Sequence, residues 1–247
     1  MTVKRAQVTI FIILGLVVLG AALFLFLSDF LAINEPSTLP ADAYALKNRF
    51  QTCFRQTTES VLLQMGMQGG LTATAIGELD MQYPVYDYYQ EGHSTQPPLD
   101  FWSNMIAYNS EPLLEWCLVD ENLTDFGVPR GEPEMNVIFR DEDIFAMLTY
   151  PIDVGTGGQV TRLERFDFTV PVRFKHLYAI AEDIVRSHIE RPAVFDPYAH
   201  FEYDARVNVV RAGPNWITSI TDERSRVLGF PFTLTFNSRF GDEIRAT

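Results

Sequence analysis

The chain has 247 residues, 13% of them aromatic and 21% charged, with a formal net charge of −13. That length and aromatic content suffice for one large or two small cored domains. The acidity argues against a nucleic-acid partner or a basic face for anionic lipid head groups, and two cysteines without a CxxC or Cys–His cluster offer no zinc or redox site.

Residues 8–27, VTIFIILGLVVLGAALFLFL, carry no charge. As a helix rising 1.5 Å per residue, this stretch would be about 30 Å long, the hydrocarbon thickness of a bilayer. It exceeds the roughly 7–15 apolar residues of a removable secretory signal, and no small-x-small cleavage site follows it. A retained transmembrane helix within residues 1–33 is expected, with membrane lipid as its partner. Lys4 and Arg5 precede it, whereas Asp29, Glu35 and Asp42 follow. By the positive-inside bias the N-terminus is then cytoplasmic and the C-terminal domain extracellular. Lys4, Arg5 and Asp29 leave residues 1–33 at +1, so the exterior part carries −14.

Residues 34–40, NEPSTLP, read as a short linker in which two prolines end the first helix. A second helix is expected over 41–67, where Tyr44, Leu46, Phe50, Cys53, Phe54, Val61, Leu62 and Met65 recur at helical spacing. Gly66, Gly69 and Gly70 stop it. Residues 71–99 hold turn formers and many tyrosines, consistent with a short strand or a loop packed on the body. Asp100 is placed to cap a helix from Phe101, and Pro112 to break it, with Ser110 as the next cap. Cys117 falls on that second piece. Outside the membrane, thiols oxidise readily, so a Cys53–Cys117 disulfide is the natural pairing, two buried free thiols being the alternative. Closing its loop of about 64 residues would stabilise by roughly 2–4 kcal/mol. Residues 41–133 thus read as a membrane-proximal, mostly helical region.

From residue 134 the period shortens to that of strands. Runs at 135–140 and 144–154 flank Asp141-Glu142-Asp143 as a hairpin, and Gly155, Gly157 and Gly158 turn the chain into a third strand over 159–172. Residues 174–190 form an amphipathic helix with Phe174, Leu177, Tyr178, Ala181, Ile184, Val185 and His188 on one face, ended by Pro192. Shorter strands follow at 207–211, 216–221 and 232–236. The expected fold class is α+β, with residues 134–247 forming one antiparallel sheet crossed by one helix.

Sites of chemistry are sparse. His93, His176, His188 and His200 are scattered, and His176 and His188 stand about 18 Å apart along their helix, too far to share a metal. His200 and Glu202 chelate weakly at best. Asp141-Glu142-Asp143 has oxygen ligands for calcium, but no Asx-Gly loop follows, and a charged hairpin tip explains it as well. Gly155-Thr156-Gly157-Gly158-Gln159 lacks the lysine of a phosphate loop and reads as a turn. No serine sits in a nucleophile elbow. No catalytic residue, cofactor or metal is expected, and an envelope enzyme remains the third reading. Asn122-Leu123-Thr124 is a glycosylation sequon, its alternative being an unmodified loop. Tyr83, Tyr86, Tyr88 and Tyr89 suit either a contact surface or a loop tucked onto the core.

Lys4-Arg5-Ala6-Gln7-Val8 followed by the apolar run resembles the processing site of archaeal type IV pilin precursors. In that family a membrane peptidase cuts on the cytoplasmic side of the helix, here between Ala6 and Gln7, and the helix packs into a filament core. Many such pilins carry Glu five residues after the cut, where this chain has Phe11. The body is similar to uncharacterised archaeal membrane-anchored surface proteins, in QVTIFIILGLVVLG, CFRQTTESVLLQMGMQGG, LTYPIDV and FDFTVPVRFKHLYAIAEDIV. The pilin-like resemblance implies a surface structural or adhesive subunit, homo-oligomeric through its N-terminal helix, while the resemblance of the body implies topology alone. A single-pass anchored binding module that never polymerises is the alternative.

Overall fold

In the computed structural model, residues 40–70, 85–120, 127–156, 159–191, 203–213 and 215–240 are described. The segment 8–27, the bond between Ala6 and Gln7, most of the 34–40 linker, Tyr83, the Asn122 sequon, Pro192, His200 and Glu202 lie outside them. Among the described residues no helix is long and apolar enough to cross a membrane.

The first helix, α1 (Ala41–Met67), has the span its apolar spacing predicts. Leu46, Phe50, Phe54, Val61, Leu62 and Met65 are buried, whereas Tyr44 points to solvent. Its end is set by backbone geometry: Gly69 and Gly70 take positive φ, and the Gly70 N–H returns to the Met65 carbonyl at 2.8 Å. Gly66 lies inside the helix for a different reason. A Cβ there would stand 2.7 Å from the Phe232 ring and from the Thr233 carbonyl, so only glycine lets the helix pack this closely.

Strands β1 (Asp87–Gln90) and β2 (His93–Ser94) form a hairpin before α2 (Leu99–Ser110). Pro98, not Asp100, precedes the first helical residue, and no side chain caps that end. Proline fixes the extended approach that Asp100 was expected to supply. Pro112 breaks the helix as expected, into a 3-10 turn (Glu111–Leu113) and α3 (Leu114–Asp120). Ser110 is helical and buried, so it does not act as a cap.

The remaining strands are β3 (Gly127–Pro129), β4 (Glu134–Phe139), β5 (Ile144–Thr156), β6 (Gln159–Val170), β7 (Arg206–Ala212), β8 (Asn215–Val227) and β9 (Phe230–Arg239). Helix α4 (Phe174–Glu190) stands between β6 and β7. The class is α+β, but the single antiparallel sheet of the sequence reading is two sheets. Sheet A has the order β2-β1-β9-β8-β7; in sheet B, β5 pairs with β3 and β4 on one side and β6 on the other. Nor is sheet A wholly antiparallel, because β1 runs parallel to β9. Gly155 belongs to β5, paired with Val160, so the strand outruns the glycine expected to end it.

Helix α1 packs on both sheets, against β6 on one side and β8 and β9 on the other. Aromatic rings fill the space between layers. Phe50 meets Phe166 and Tyr150, Phe54 meets Phe168 edge-on, and Phe174 lies among Trp102, Phe139 and Phe232. Each such side chain contributes about 1.5–3 kcal/mol of burial. Residues 40–247 form one compact unit, and β1 and β3 carry the 41–133 stretch into both sheets. The change of composition at 133/134 therefore does not divide the fold.

Candidate interaction surface

Among the apolar side chains that face solvent, which include Tyr108 and Val160 elsewhere, two groups lie beside α1. The first is built around the cysteines. Cys53 on α1 and Cys117 on α3 are joined by a disulfide, their Cα atoms 5.7 Å apart. The bond forms the floor of a groove of about 280 Å³ walled by Thr57, Ser60, Leu113 and Trp116. Trp116 is 69% exposed and Leu113 is also exposed. The cause is local: Leu114, Cys117 and Leu118 take the buried face of a short helix, which turns Trp116 outward. The Thr57 hydroxyl lies 3.7 Å from the Cys117 sulfur, and the Ser60 hydroxyl donates to the Gln56 carbonyl. The groove walls thus carry no charge.

The second feature is the tip of the β8–β9 hairpin. Val227 pairs with Phe230 across a two-residue turn, Leu228-Gly229, with φ of 50° and 84°. This turn needs left-handed residues at both positions, for which Asn-Gly or Asp-Gly is the low-energy choice. The β1–β2 hairpin uses the same turn, with Glu91 at φ 47° in the same left-handed position before Gly92. At the β8–β9 tip the strained residue is a leucine, and beside it Phe230 is 64% exposed.

A buried polar cluster fixes where this tip points. Glu223, Arg224 and Ser225 bulge out of β8, because Asp222 pairs with Phe232 while Arg226 already pairs with Pro231. Arg173, just before α4, grips the bulge. Its Nε and one terminal nitrogen donate to the two Asp222 oxygens at 2.9 and 2.8 Å, and its other nitrogen donates to Asp204 at 3.0 Å. Ser225 donates to Asp222 at 2.5 Å and accepts from the Arg173 N–H at 2.9 Å. Burial on its own would raise the Asp222 carboxyl, but hydrogen bonds from Arg173, Ser225 and the Arg224 N–H hold it down at about 2. The same bond to Asp222 raises Arg173. Past the bulge, Arg226 donates to the Gly229 carbonyl at 3.0 Å and the Leu228 N–H to Glu59 on α1 at 3.3 Å.

The other sequence candidates do not converge. His93 is exposed on β2, while His188 is buried against Tyr89 and Phe240. At the β4–β5 tip, Asp141 lies 3.2 Å from Lys175 of α4 and Asp143 lies 3.8 Å from Arg140, so two of its three carboxylates are held by ion pairs. Among the described residues no three His, Cys, Asp or Glu side chains are grouped to hold a metal ion. Of the described tyrosines in the cluster, Tyr88 and Tyr89 are core, Tyr88 stacking on Phe236 at 4.6 Å, and Tyr86 is half-exposed.

Trp116, Leu228 and Phe230 escaped the sequence reading, although each left a signal. A tryptophan beside a cysteine on a short helix cannot share its buried face, and Val-Leu-Gly-Phe between alternating runs is a hairpin turn with an unusual residue in it. No family model, curated protein or solved structure matches this chain.

Proposed function

We propose that this chain is a cell-surface structural or adhesive subunit, anchored or assembled through its N-terminal hydrophobic helix. The observation that carries the reading is the uncharged run 8–27, which immediately follows Lys4-Arg5-Ala6-Gln7 and precedes an acidic, disulfide-bonded body. A run of that length is stable in lipid or in the middle of a helical bundle. The disulfide supports an oxidising compartment, hence the extracellular side for residues from about 30 onward. In its sharper form the subunit is pilin-like, cut between Ala6 and Gln7, with the helix in a filament core and the body outside.

Mass spectrometry of protein recovered from its native membrane tests this. Gln7 as the first residue, in material sheared from cells as filaments, supports the pilin-like form. An uncut N-terminus in detergent-extracted monomers favours the anchored, non-polymerising module. Recovery from the cytosol with both thiols reduced would overturn both.

A further inference from the structure

We infer that the Cys53–Cys117 bond is a site of thiol–disulfide exchange in the folded protein: a dithiol reductant attacks Cys53, Cys117 leaves beside the Thr57 hydroxyl, and the opened bond releases α3 from α1. Such a redox switch is independent of whether the N-terminal helix anchors the chain or polymerises.

The two cysteines are not equivalent. Cys117 is 1% exposed, whereas Cys53 is only half-buried, on the floor of the open groove of about 280 Å³. Access therefore selects Cys53 as the attacked sulfur. Thr57 stands one helical turn beyond Cys53 on α1, and its hydroxyl lies 3.7 Å from the Cys117 sulfur. A disulfide sulfur carries no hydrogen, so the hydroxyl is the donor. Aimed at Cys117, it steadies the negative charge of a departing thiolate, and a better leaving group is displaced faster. The groove walls bring no carboxylate to repel the incoming thiolate.

The exchange balances in two steps. A thiolate of the reductant bonds to the Cys53 sulfur as the bond to Cys117 breaks, and the electron pair leaves on Cys117, which takes a proton from water. The reductant's second thiol then attacks the mixed disulfide and frees Cys53, so the dithiol is oxidised and the protein gains two thiols. Helix α3 has seven residues, fewer than an isolated helix needs to hold its shape. It packs chiefly on α1, and its buried face is Leu114, Cys117 and Leu118, so one of those three attachments is the disulfide itself. Ahead of it, the Met135 N–H donates to Glu111 at 2.9 Å and holds the 3-10 turn against β4. The contacts of Phe50 and Phe54 with Phe166 and Phe168 do not involve α3. Breaking the bond thus opens a short segment beyond a fixed turn and leaves the layers of the body joined.

The test uses the full chain in detergent micelles, which shield the hydrophobic run. Dithiothreitol is expected to reduce the bond without denaturant, at a rate that does not change with urea below the unfolding transition. Mercaptoethanol, a monothiol, stops at the mixed disulfide; after iodoacetamide, peptide mass spectrometry should find mercaptoethanol on Cys53 and the alkyl group on Cys117. Thr57→Val keeps the side chain's shape without the donor and should slow reduction by about threefold, with Thr57→Ser restoring it. On reduction, hydrogen exchange should lose protection over 114–120 while 174–190 and 230–239 keep theirs, and near-ultraviolet circular dichroism should show the body still folded. Reduction that needs unfolding, mercaptoethanol on Cys117, a rate unchanged in Thr57→Val, or protection of 114–120 that survives reduction each overturns the inference.

Discussion

Two arginine clamps in this molecule use the same chemistry in opposite surroundings. In one, Arg173 and Asp222 are both almost fully buried, every oxygen of the aspartate is engaged, and the clamp joins the start of α4 to the β8 bulge. In the other, Asp153 on β5 receives Arg162 of β6 at 2.8 Å and Arg130 at 3.0 Å, but both arginines are more than half exposed. Their hydrogen bonds depress Asp153, Arg162 foremost. The hydrogen-bond diagrams are nearly alike. What differs is the alternative open to each charge: water can replace Arg162, whereas nothing replaces Arg173. Burial therefore decides which clamp the fold depends on.

Removing one partner of the buried clamp should have the largest effect. Asp222→Ala leaves the buried guanidinium only its contacts to the exposed Asp204 and is expected to lower unfolding free energy by about 3 kcal/mol in urea titration. The double replacement Arg173→Met with Asp222→Leu should recover most of that loss, since an apolar pair needs no counter-charge. If Asp222→Ala matches the surface variant below, the comparison fails.

The disulfide is the next largest tie. Cys53→Ser with Cys117→Ser should reduce stability by roughly 2–4 kcal/mol, again read in urea. Gly66→Ala follows, at about 1–3 kcal/mol, because its methyl would meet the Phe232 ring and the fixed Thr233 carbonyl.

Acid weakens the buried clamp. The Asp222 carboxyl stands at about 2 in the folded protein, below its ordinary value near 3.9. A depressed carboxyl contributes its full stability above the unfolded value and loses it as pH falls through the folded one. Stability should thus decline between about pH 4 and pH 2, and Asp222→Asn should flatten that part of the curve. The smallest effect is expected for Arg162→Ala, whose thermal midpoint should stay within error of the parent, because Asp153 keeps Arg130 and solvent replaces the lost guanidinium.

Local pattern made some of this legible and topology concealed the rest. The spans of helices α1 and α4 were readable because their apolar residues recur at helical spacing, although Gly66, expected among the stops of α1, lies inside it. The β4–β5 hairpin was readable from alternation around three acidic residues. Strands β8 and β9 were read too short, since the polar run Asp222–Ser225 is a bulge gripped by Arg173 and resembles a strand end in one dimension. Pairing of β1 with β9, about 150 positions away, leaves no local trace, nor does the absence of pairing between the β4–β6 and β7–β9 groups, which makes two sheets of the one expected. The groove was half visible: the cysteine pairing placed its floor, but Trp116 acquires meaning only once the buried face of α3 is known.

The parallel pairing of β1 with β9 has a consequence for synthesis. Strand β9 lies between β1 and β8 and is the last strand described. Until residues 230–239 leave the ribosome, β1 has no neighbour but β2, and β8 lacks one of its two. A nascent chain therefore waits with unsatisfied edges for most of its translation, and such distant pairings form slowly.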